Sequence, residues 1–242
     1  MSKILELKDL LPAGEGLPPG VWRLKAVQSD QCISYVAWNE VAREALLIDP
    51  KVEDVEAYRS LFSGLSRYLW LAVIDSHTHA DHVSIASQLS KELKAPYVMH
   101  ALSPNTRVDI RVSRDTILSS HAGPVRLVST PGHSPDSVTV IWGPFLFGGD
   151  TLLYGDTGRD DLPGGDSEAH FESIQKLKAL VLPDSIVLPG HDPRGGRASS
   201  WKEQLAINPS LTQGREAFVR EAREFDAPAP SLLMRSLREN FK

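Results

Sequence analysis

The stretch Asp75-Ser76-His77-Thr78-His79-Ala80-Asp81-His82 is a polar turn that directly follows the apolar run Trp70–Ile74. A short continuous apolar run of this kind is typical of a strand that is buried on both faces. A rigid sheet can aim the side chains at the end of such a strand into one cleft. Because imidazole and carboxylate groups are the ligands of zinc, iron and manganese, the turn indicates a metal site.

Further ligand-type residues stand in glycine-containing turns after later strand-like runs: His133 in Thr130-Pro131-Gly132-His133, Asp150 in Gly148-Gly149-Asp150 and His191 in Leu188-Pro189-Gly190-His191. A single histidine at a strand end is more often a surface or hydrogen-bonded structural residue. The ordered series of turns instead favours a shared metal site. The remaining histidines lack such a context and are interpreted as structural: His100, His121 and His170.

The chain around these turns alternates strand-like and helix-like patterns in two halves. Strands are predicted at Val21–Val27, Ile33–Trp38, Ala45–Ile48, Trp70–Ile74, Tyr97–Met99, Val125–Ser129, Val138–Trp142, Phe145–Phe147 and Ile186–Leu188. Helices are predicted at Val52–Leu65, Val83–Leu93 and Glu168–Val181. This alternation predicts an α/β (α+β) chain in which two mixed sheets pack face to face with helices outside, an αββα sandwich.

Size and composition indicate one globular domain over residues 1–242, since 41% of the residues are hydrophobic and 24% are charged. A helical segment is predicted at about 201–242, broken by Pro228 and Pro230 before Leu232–Phe241. The amphipathic spacing of this last stretch predicts that it packs either on its own chain or across a homodimer.

Charge and cysteine content exclude several classes of protein. The formal net charge of −5 gives no reason to expect nucleic acid or an anionic membrane as a partner. Cys32 is the only cysteine, which excludes an intramolecular disulfide and cysteine-rich metal sites; it stands in an apolar run and is interpreted as a core residue. Residues 1–9 lack an apolar targeting region and no run approaches a membrane span, so a cytoplasmic location is expected.

The ordered ligand-type residues resemble those of the metallo-β-lactamase superfamily over about Val21–Leu211: His77, His79, Asp81, His82, His133, Asp150 and His191. Other segments resemble its persulfide dioxygenase branch, which is related to glyoxalase II: Leu46-Leu47-Ile48-Asp49-Pro50, Gly149-Asp150-Thr151-Leu152-Leu153, Gly158-Arg159-Asp160-Asp161, Gly165-Asp166 and Asn208-Pro209-Ser210-Leu211-Thr212. The resemblance implies the metallo-β-lactamase sandwich and a metalloenzyme, although one fold hosts several reactions.

In that branch the resemblance implies one Fe(II) per chain, held by His77, His133 and Asp150 as a facial set that leaves positions open. The implied reaction oxidises glutathione persulfide, or a related low-molecular-weight persulfide, with O2 and water to sulfite and thiol. The neighbouring residues would orient the metal ligands or waters: His79, Asp81, His82 and His191. Arg159 would bind a glutathione carboxylate through its planar guanidinium.

The sequence departs from the branch at the substrate side of the site. His133-Ser134-Pro135-Asp136 stands where the branch usually has His-Thr-Pro-Gly, and Thr157-Gly158-Arg159-Asp160-Asp161-Leu162 replaces Cys-Gly-Arg-Thr-Asp-Phe. Pro193 stands where a substrate-binding tyrosine often follows the last His-Asp. Arg194 and Arg197 are the candidates to replace that contact.

The alternative function is a two-metal hydrolase of the glyoxalase II type that acts on a glutathione thioester. Its cofactor would be zinc or two metals. The ligands would be His77, His79 and His133 for one metal, Asp81, His82 and His191 for the other, and Asp150 between them. Residues 192–242 are short for the helical substrate domain of that family, and Gly158-Arg159-Asp160 favours the dioxygenase. A catalytically inactive scaffold or sensor is disfavoured because no ligand position is lost.

Overall fold

The computed structural model of the chain describes residues 2–11, 20–192, 197–225 and 227–241. Within these residues the first sheet consists of β1 (Lys3–Glu6), β2 (Trp22–Ser29), β3 (Cys32–Asn39), β4 (Glu44–Ile48), β5 (Leu69–Ile74), β6 (Tyr97–His100) and β7 (Ile110–Val112), side by side in chain order. The second sheet consists of β8 (Thr116–Leu118), β9 (Val125–Ser129), β10 (Val138–Trp142), β11 (Phe145–Gly149), β12 (Ile186–Pro189) and β13 (Ser199–Ser200). The helices are α1 (Leu7–Leu10), α2 (Val55–Gly64), α3 (Ala86–Leu93), α4 (Ser167–Leu180), α5 (Trp201–Ile207), α6 (Arg215–Glu224) and α7 (Leu233–Asn240).

Both sheets are mixed, as the sequence predicts. The first sheet is antiparallel from β1 to β4 and parallel from β4 to β7. The second sheet is antiparallel except where β11 pairs in parallel with β12. The crossovers that parallel pairing requires place helices outside the sheets.

Alternation along β4 shows how the layers are built. Leu46 and Ile48 belong to the central cluster between the two sheets, whereas Ala45 and Leu47 pack on the opposite face with side chains of α2 and α3. All five residues of β4 are buried, as expected for a strand covered on both faces. The second sheet packs on α4 through a third cluster. The αββα sandwich is thus confirmed.

Two predicted helices begin later than their apolar spacing suggests. The residues before α3 form backbone bonds with the end of β4: the Val52 amide donates to the Val83 carbonyl, and the Ile85 amide donates to the Pro50 carbonyl. Residues bonded in this way cannot take part in the helical ladder, so α3 begins at Ala86. The helix predicted from Val52 is divided into a 3₁₀ turn, Val52–Asp54, and α2.

Four short strands of four residues or fewer are not predicted from the sequence: β1, β7, β8 and β13. Such strands carry too few alternating positions for a pattern to stand out. None of the helices in the described ranges is long and apolar enough to cross a membrane.

Candidate metal centre

The predicted ligand turns all leave the carboxyl ends of strands: β5 for His77, β9 for His133, β11 for Asp150 and β12 for His191. Ser76 ties the two sheets together here, because its amide donates to Asp49 Oδ1 at 2.6 Å and its carbonyl accepts from the Val138 amide at 2.7 Å. The turn after β5 is therefore fixed to both sheets, which positions the side chains that follow it.

Glycines before two of the ligands are required by close packing. Gly149 has φ +51°, and a Cβ atom there would lie 2.6 Å from Ser76 Oγ. Gly132 has φ +150°, and its Cβ would lie 2.3 Å from the backbone of His170. A larger residue at either position would displace the adjacent turn, so these glycines let the ligand-bearing strand ends approach one another.

The structure brings His77, His133 and Asp150 together. One ring nitrogen from each histidine and one carboxylate oxygen of Asp150 all lie within 4.8 Å of one another. His133 Nε2 is 3.6 Å from Asp150 Oδ2, and the two imidazole rings are nearly perpendicular with centroids 4.8 Å apart. Two imidazoles and a carboxylate form a donor set that fits Fe(II) or zinc.

Hydrogen bonds orient both imidazoles toward this cluster. His77 Nδ1 is 2.9 Å from Ser76 Oγ, whose proton is already donated to Asp49 Oδ2, so Nδ1 carries the proton. His133 Nδ1 is 2.6 Å from the Arg159 carbonyl oxygen, which can only accept. In both rings the proton on Nδ1 leaves Nε2 unprotonated and able to bind a metal.

Electrostatics also favour metal binding by this set. Burial lowers the pKa of His77 well below its usual value, and the neighbouring His79 and His133 add to this effect. Burial opposes the charged form of Asp150, but His191 outweighs it and holds the Asp150 pKa far below its usual range. A neutral imidazole and an ionised carboxylate are the forms that bind metal cations.

His191 lies between two carboxylates. Its Nδ1 is 2.6 Å from Asp150 Oδ1 and its Nε2 is 2.8 Å from Asp81 Oδ2. Burial alone would lower the His191 pKa, but Asp150 and Asp81 outweigh it and raise the pKa well above the usual value. His191 is therefore an imidazolium with both protons donated, and it occupies only one oxygen of Asp150.

His79 groups with carboxylates behind the turn rather than with His77 and His133. Its Nε2 is 3.3 Å from Asp49 Oδ1 and 3.9 Å from Asp75 Oδ1, and all three side chains are buried. These are the residues whose ligand-type atoms lie close together around His79. Neither ring nitrogen of His79 has a hydrogen-bond partner among the described residues, and the orienting role of His79 stays a prediction.

Cys32 lies at the edge of the site, so its interpretation as a core residue is wrong. Its Sγ is 2.9 Å from Asp81 Oδ2, and the residue is only partly buried. Cys32 begins β3, and its backbone forms an isolated β-bridge with His191. Cys32 is followed in the sequence by apolar residues, which is why it was interpreted as core. Those residues do belong to the core, but Cys32 itself, the first residue of β3, faces the metal turns.

Arg159 does not stand free for a substrate in this structure. Its Nε and Nη2 both donate to the Asp161 carboxylate at 2.6 Å, and Nη1 and Nη2 donate to the carbonyls of Pro228 and Ala227 at 2.8 Å. These contacts occupy four of its five N–H donors, and its role in binding a glutathione carboxylate stays a prediction. Arg197 lies over the Tyr154 ring, while Pro193 and Arg194 lie outside the described residues.

Asn240 is a residue of the site that the sequence analysis did not find. It is buried at the end of α7, and its Nδ2 donates to the carbonyls of His79 and His82 at 2.9 Å each. Its Oδ1 accepts from the Ser84 amide at 2.9 Å. One side chain thus holds the backbone of the metal-binding turn, and no local pattern links two segments so distant in sequence.

The histidines interpreted as structural have structural partners. His100 Nε2 is 3.2 Å from Ser129 Oγ, His121 Nδ1 is 2.9 Å from Glu44 Oε1, and His170 Nε2 is 3.0 Å from the Thr151 carbonyl.

The chain is similar to known proteins in both sequence and structure. The family model of the metallo-beta-lactamase superfamily matches residues 104–191. The chain is 28% identical to the human mitochondrial persulfide dioxygenase ETHE1 over 81% of this chain and 78% of that protein. It is 30% identical to the probable polyketide biosynthesis zinc-dependent hydrolase PksB of Bacillus subtilis, over 65% of this chain and 71% of that protein. The crystal structure of ETHE1 from Myxococcus xanthus superposes with a TM-score of 0.83 at 25% identity, covering 90% of this chain and 97% of that one.

Proposed function

The chain belongs to the metallo-β-lactamase superfamily, and on that premise we propose that it is an iron-dependent persulfide dioxygenase. The proposed substrate is glutathione persulfide or a related low-molecular-weight persulfide, which O2 and water convert into sulfite and thiol. The observation that carries the proposal is the convergence of ligand atoms from His77, His133 and Asp150 while both ring nitrogens of His191 are hydrogen-bonded to carboxylates. The similarity to proteins named persulfide dioxygenases supports it.

Bound by this set, Fe(II) would supply coordination positions at which a persulfide sulfur and dioxygen can meet. Hydrogen bonds already orient the two imidazoles that would hold it. His77 and His133 present Nε2 because their Nδ1 protons are held by Ser76 Oγ and the Arg159 carbonyl. The burial of these ligands limits the access of water to the reacting groups.

Asp150 would hold the metal through one carboxylate oxygen while its other oxygen accepts a hydrogen bond from His191. The proton on His191 Nδ1 is donated to Oδ1 at 2.6 Å, which leaves Oδ2 facing His133 Nε2. A carboxylate held in this way would offer a metal one oxygen in a fixed orientation.

The two-metal hydrolase of the glyoxalase II type is the second candidate. Asp81 and His82 stand close together, as a second metal would require, and PksB is named a zinc-dependent hydrolase. Against this candidate, both nitrogens of His191 are bonded to carboxylates, and His79 faces Asp49 and Asp75. With both of its nitrogens occupied, His191 is not presented to a metal in the way that the hydrolase needs.

Metal analysis and oxygen uptake test the proposal together. We expect anaerobically purified protein to contain about one iron per chain and to consume O2 on addition of glutathione persulfide, with sulfite as product. A glutathione thioester is the control substrate and should not be hydrolysed. Thioester hydrolysis without O2 consumption would overturn the dioxygenase proposal in favour of the hydrolase.

A further inference from the structure

A buried carboxylate joins the two turns that carry the histidine ligands. Asp136 lies in the connection between β9 and β10 and is only 3% exposed. Its Oδ2 accepts from the Thr78 amide at 3.0 Å and from the Thr78 hydroxyl at 2.5 Å, and its Oδ1 accepts from the Ser134 hydroxyl at 2.8 Å. Thr78 directly follows His77 in the chain. Ser134 directly follows His133, so one carboxylate holds the residue next to each proposed histidine ligand.

We propose that Asp136 is a positioning residue that sets the distance between His77 and His133, and with it how tightly the site binds its metal. Both oxygens of Asp136 accept hydrogen bonds from the two turns, so it acts through the ligands and not on the metal. This inference deepens the proposed function and rests on it, because it takes His77 and His133 to be metal ligands.

The turn after β5 is fastened on both sides of His77. Before this histidine, the Ser76 carbonyl accepts from the Val138 amide at 2.7 Å. After it, Thr78 donates twice to Asp136. Both bonds end on the connection between β9 and β10 or on the start of β10, which is the part of the chain that follows His133. A ligand between two fixed points is held at a set distance from its partner before the metal arrives.

A carboxylate suits this position because the groups around it are donors. The Ser137 hydroxyl is 2.8 Å from Ser134 Oγ, and it donates there because the Ser134 proton is given to Asp136. Hydrogen bonds to a carboxylate are shorter and stronger than those to a neutral acceptor. Asp136 is also one of the positions at which the chain departs from the persulfide dioxygenase branch, where glycine is usual. A glycine could not form this link.

Metal affinity tests the inference without relying on catalysis. Metal-free protein is titrated with zinc in competition with a chromophoric chelator. We expect Asp136→Ala to bind zinc about tenfold to a hundredfold more weakly than the parent, as is typical for loss of a group that orients a ligand. The visible absorption bands of Co(II)-loaded protein report the geometry of the ligands. These bands should shift in Asp136→Ala.

Asp136→Asn is the conservative variant. Its amide oxygen can accept from the Thr78 amide and hydroxyl, and its amide nitrogen can donate to Ser134 Oγ, so all three contacts can persist without the charge. We expect its zinc affinity and cobalt bands to be close to those of the parent. Thr78→Val and Ser134→Ala each remove one hydroxyl contact and should weaken zinc binding less than Asp136→Ala does. They carry the test if Asp136→Ala does not fold.

Glu44→Ala is the matched control for a loss of stability alone. Glu44 is equally buried at 2% exposure, and it also accepts hydrogen bonds from the other sheet's side of the molecule, through Ser120 and the Ala122 amide. It lies at the start of β4, whereas the ligand turns follow the ends of their strands. Both alanine variants should lower the midpoint of urea unfolding of metal-free protein. Only Asp136→Ala should weaken zinc binding.

Several results would overturn the inference. These are an unchanged zinc affinity in Asp136→Ala, an equal loss of affinity in Glu44→Ala, or an unchanged affinity in both Thr78→Val and Ser134→Ala. Asp136→Asn that binds zinc as weakly as Asp136→Ala would show that charge, and not the hydrogen-bonded link, retains the metal. His133→Ala is measured in the same way. If it binds zinc as tightly as the parent, the proposed ligand set itself is wrong, and failure of the proposed function is recognised separately.

Discussion

The hydrogen-bond acceptors next to each histidine ring determine whether the ring is neutral with an unprotonated Nε2 or is positively charged. Ser76 Oγ and the Arg159 carbonyl fix the protons of His77 and His133 on Nδ1, while two carboxylates accept hydrogen bonds from both nitrogens of His191. Rings of identical chemistry thus differ, since two present an unprotonated Nε2 and one is a cation. Their types and order are visible in the sequence, but their tautomers depend on partners up to 110 residues away.

Removal of His133 should empty the iron site. In His133→Ala, only His77 and Asp150 would remain of the proposed ligands, which is too few to retain Fe(II) against solvent. We expect iron to fall from about one per chain to below about a tenth of that, with loss of oxygen uptake. His121→Ala serves as the control for loss of an imidazole elsewhere. Full iron occupancy with normal turnover in His133→Ala would contradict the proposed ligand set.

Removal of His191 should separate the two candidate functions. Because His191 orients Asp150 without binding iron in the proposed enzyme, His191→Ala should retain about one iron and lose turnover by roughly tenfold to a hundredfold. In a two-metal hydrolase the same change would lower the metal content from about two equivalents to about one. Metal analysis together with steady-state kinetics decides between the two.

Replacement of Arg159 tests its predicted contact with substrate. If Arg159 binds a glutathione carboxylate, Arg159→Ala should raise KM by about tenfold to a hundredfold, for a loss of roughly 1.5–3 kcal/mol, with unchanged iron content. Asp161→Asn is the informative comparison because it releases the guanidinium from its ion pair. It should leave KM unchanged or lower it. If both variants instead lower Tm alike and leave KM unchanged, Arg159 only anchors residues 227–228.

Helix α7 reaches the metal-binding turn through one buried amide. Asn240→Ala would leave the carbonyls of His79 and His82 and the Ser84 amide without this partner. We expect the free energy of unfolding to fall by about 2–4 kcal/mol and iron to dissociate faster. Urea unfolding and the rate of iron transfer to a chelator measure the two effects. Arg238→Ala, on the exposed side of the same helix, should change stability by less than about 0.5 kcal/mol.

Local patterns predicted β9 and β10 to the residue, because each is a short run rich in apolar residues and bounded by turns. The same patterns predicted the turns that carry ligand-type residues, because histidine and aspartate come directly after apolar, strand-like runs in the sequence. They could not place Cys32 next to Asp81 or Asn240 next to His82, because those contacts join segments 49 and 158 residues apart. Only the assembled sheets create them.

The two sheets are also joined away from the metal by a buried carboxylate. Glu44 begins β4, and it accepts hydrogen bonds from Ser120, the His121 ring and the amides of His121 and Ala122, in the loop before β9. Burial opposes its charged form, but these hydrogen bonds outweigh burial and lower the Glu44 pKa below its usual 4.5. The ionised form is therefore stabilised by folding.

This contact predicts an acid-sensitive contribution to stability. A carboxyl whose pKa is lower in the folded protein stabilises it above the unfolded pKa and loses that effect as pH falls through the folded pKa. Glu44→Gln should lower the free energy of unfolding by about 1–3 kcal/mol at pH 7. The difference from the parent should shrink below about pH 4. Urea unfolding of metal-free protein at both pH values measures this, with Glu56→Gln, an exposed carboxylate, as control.

Because Asn240 lies far from His82 in sequence, it is synthesised much later than the turn that it holds. A ribosome adds about 5–20 residues per second, so the metal-binding turn is synthesised about 8–30 s before the amide that holds it, 158 residues later. Throughout that interval the nascent turn lacks three of its backbone hydrogen bonds. Loading of the proposed iron site is therefore expected to follow completion of the C-terminal helix rather than to accompany synthesis of the histidine turn.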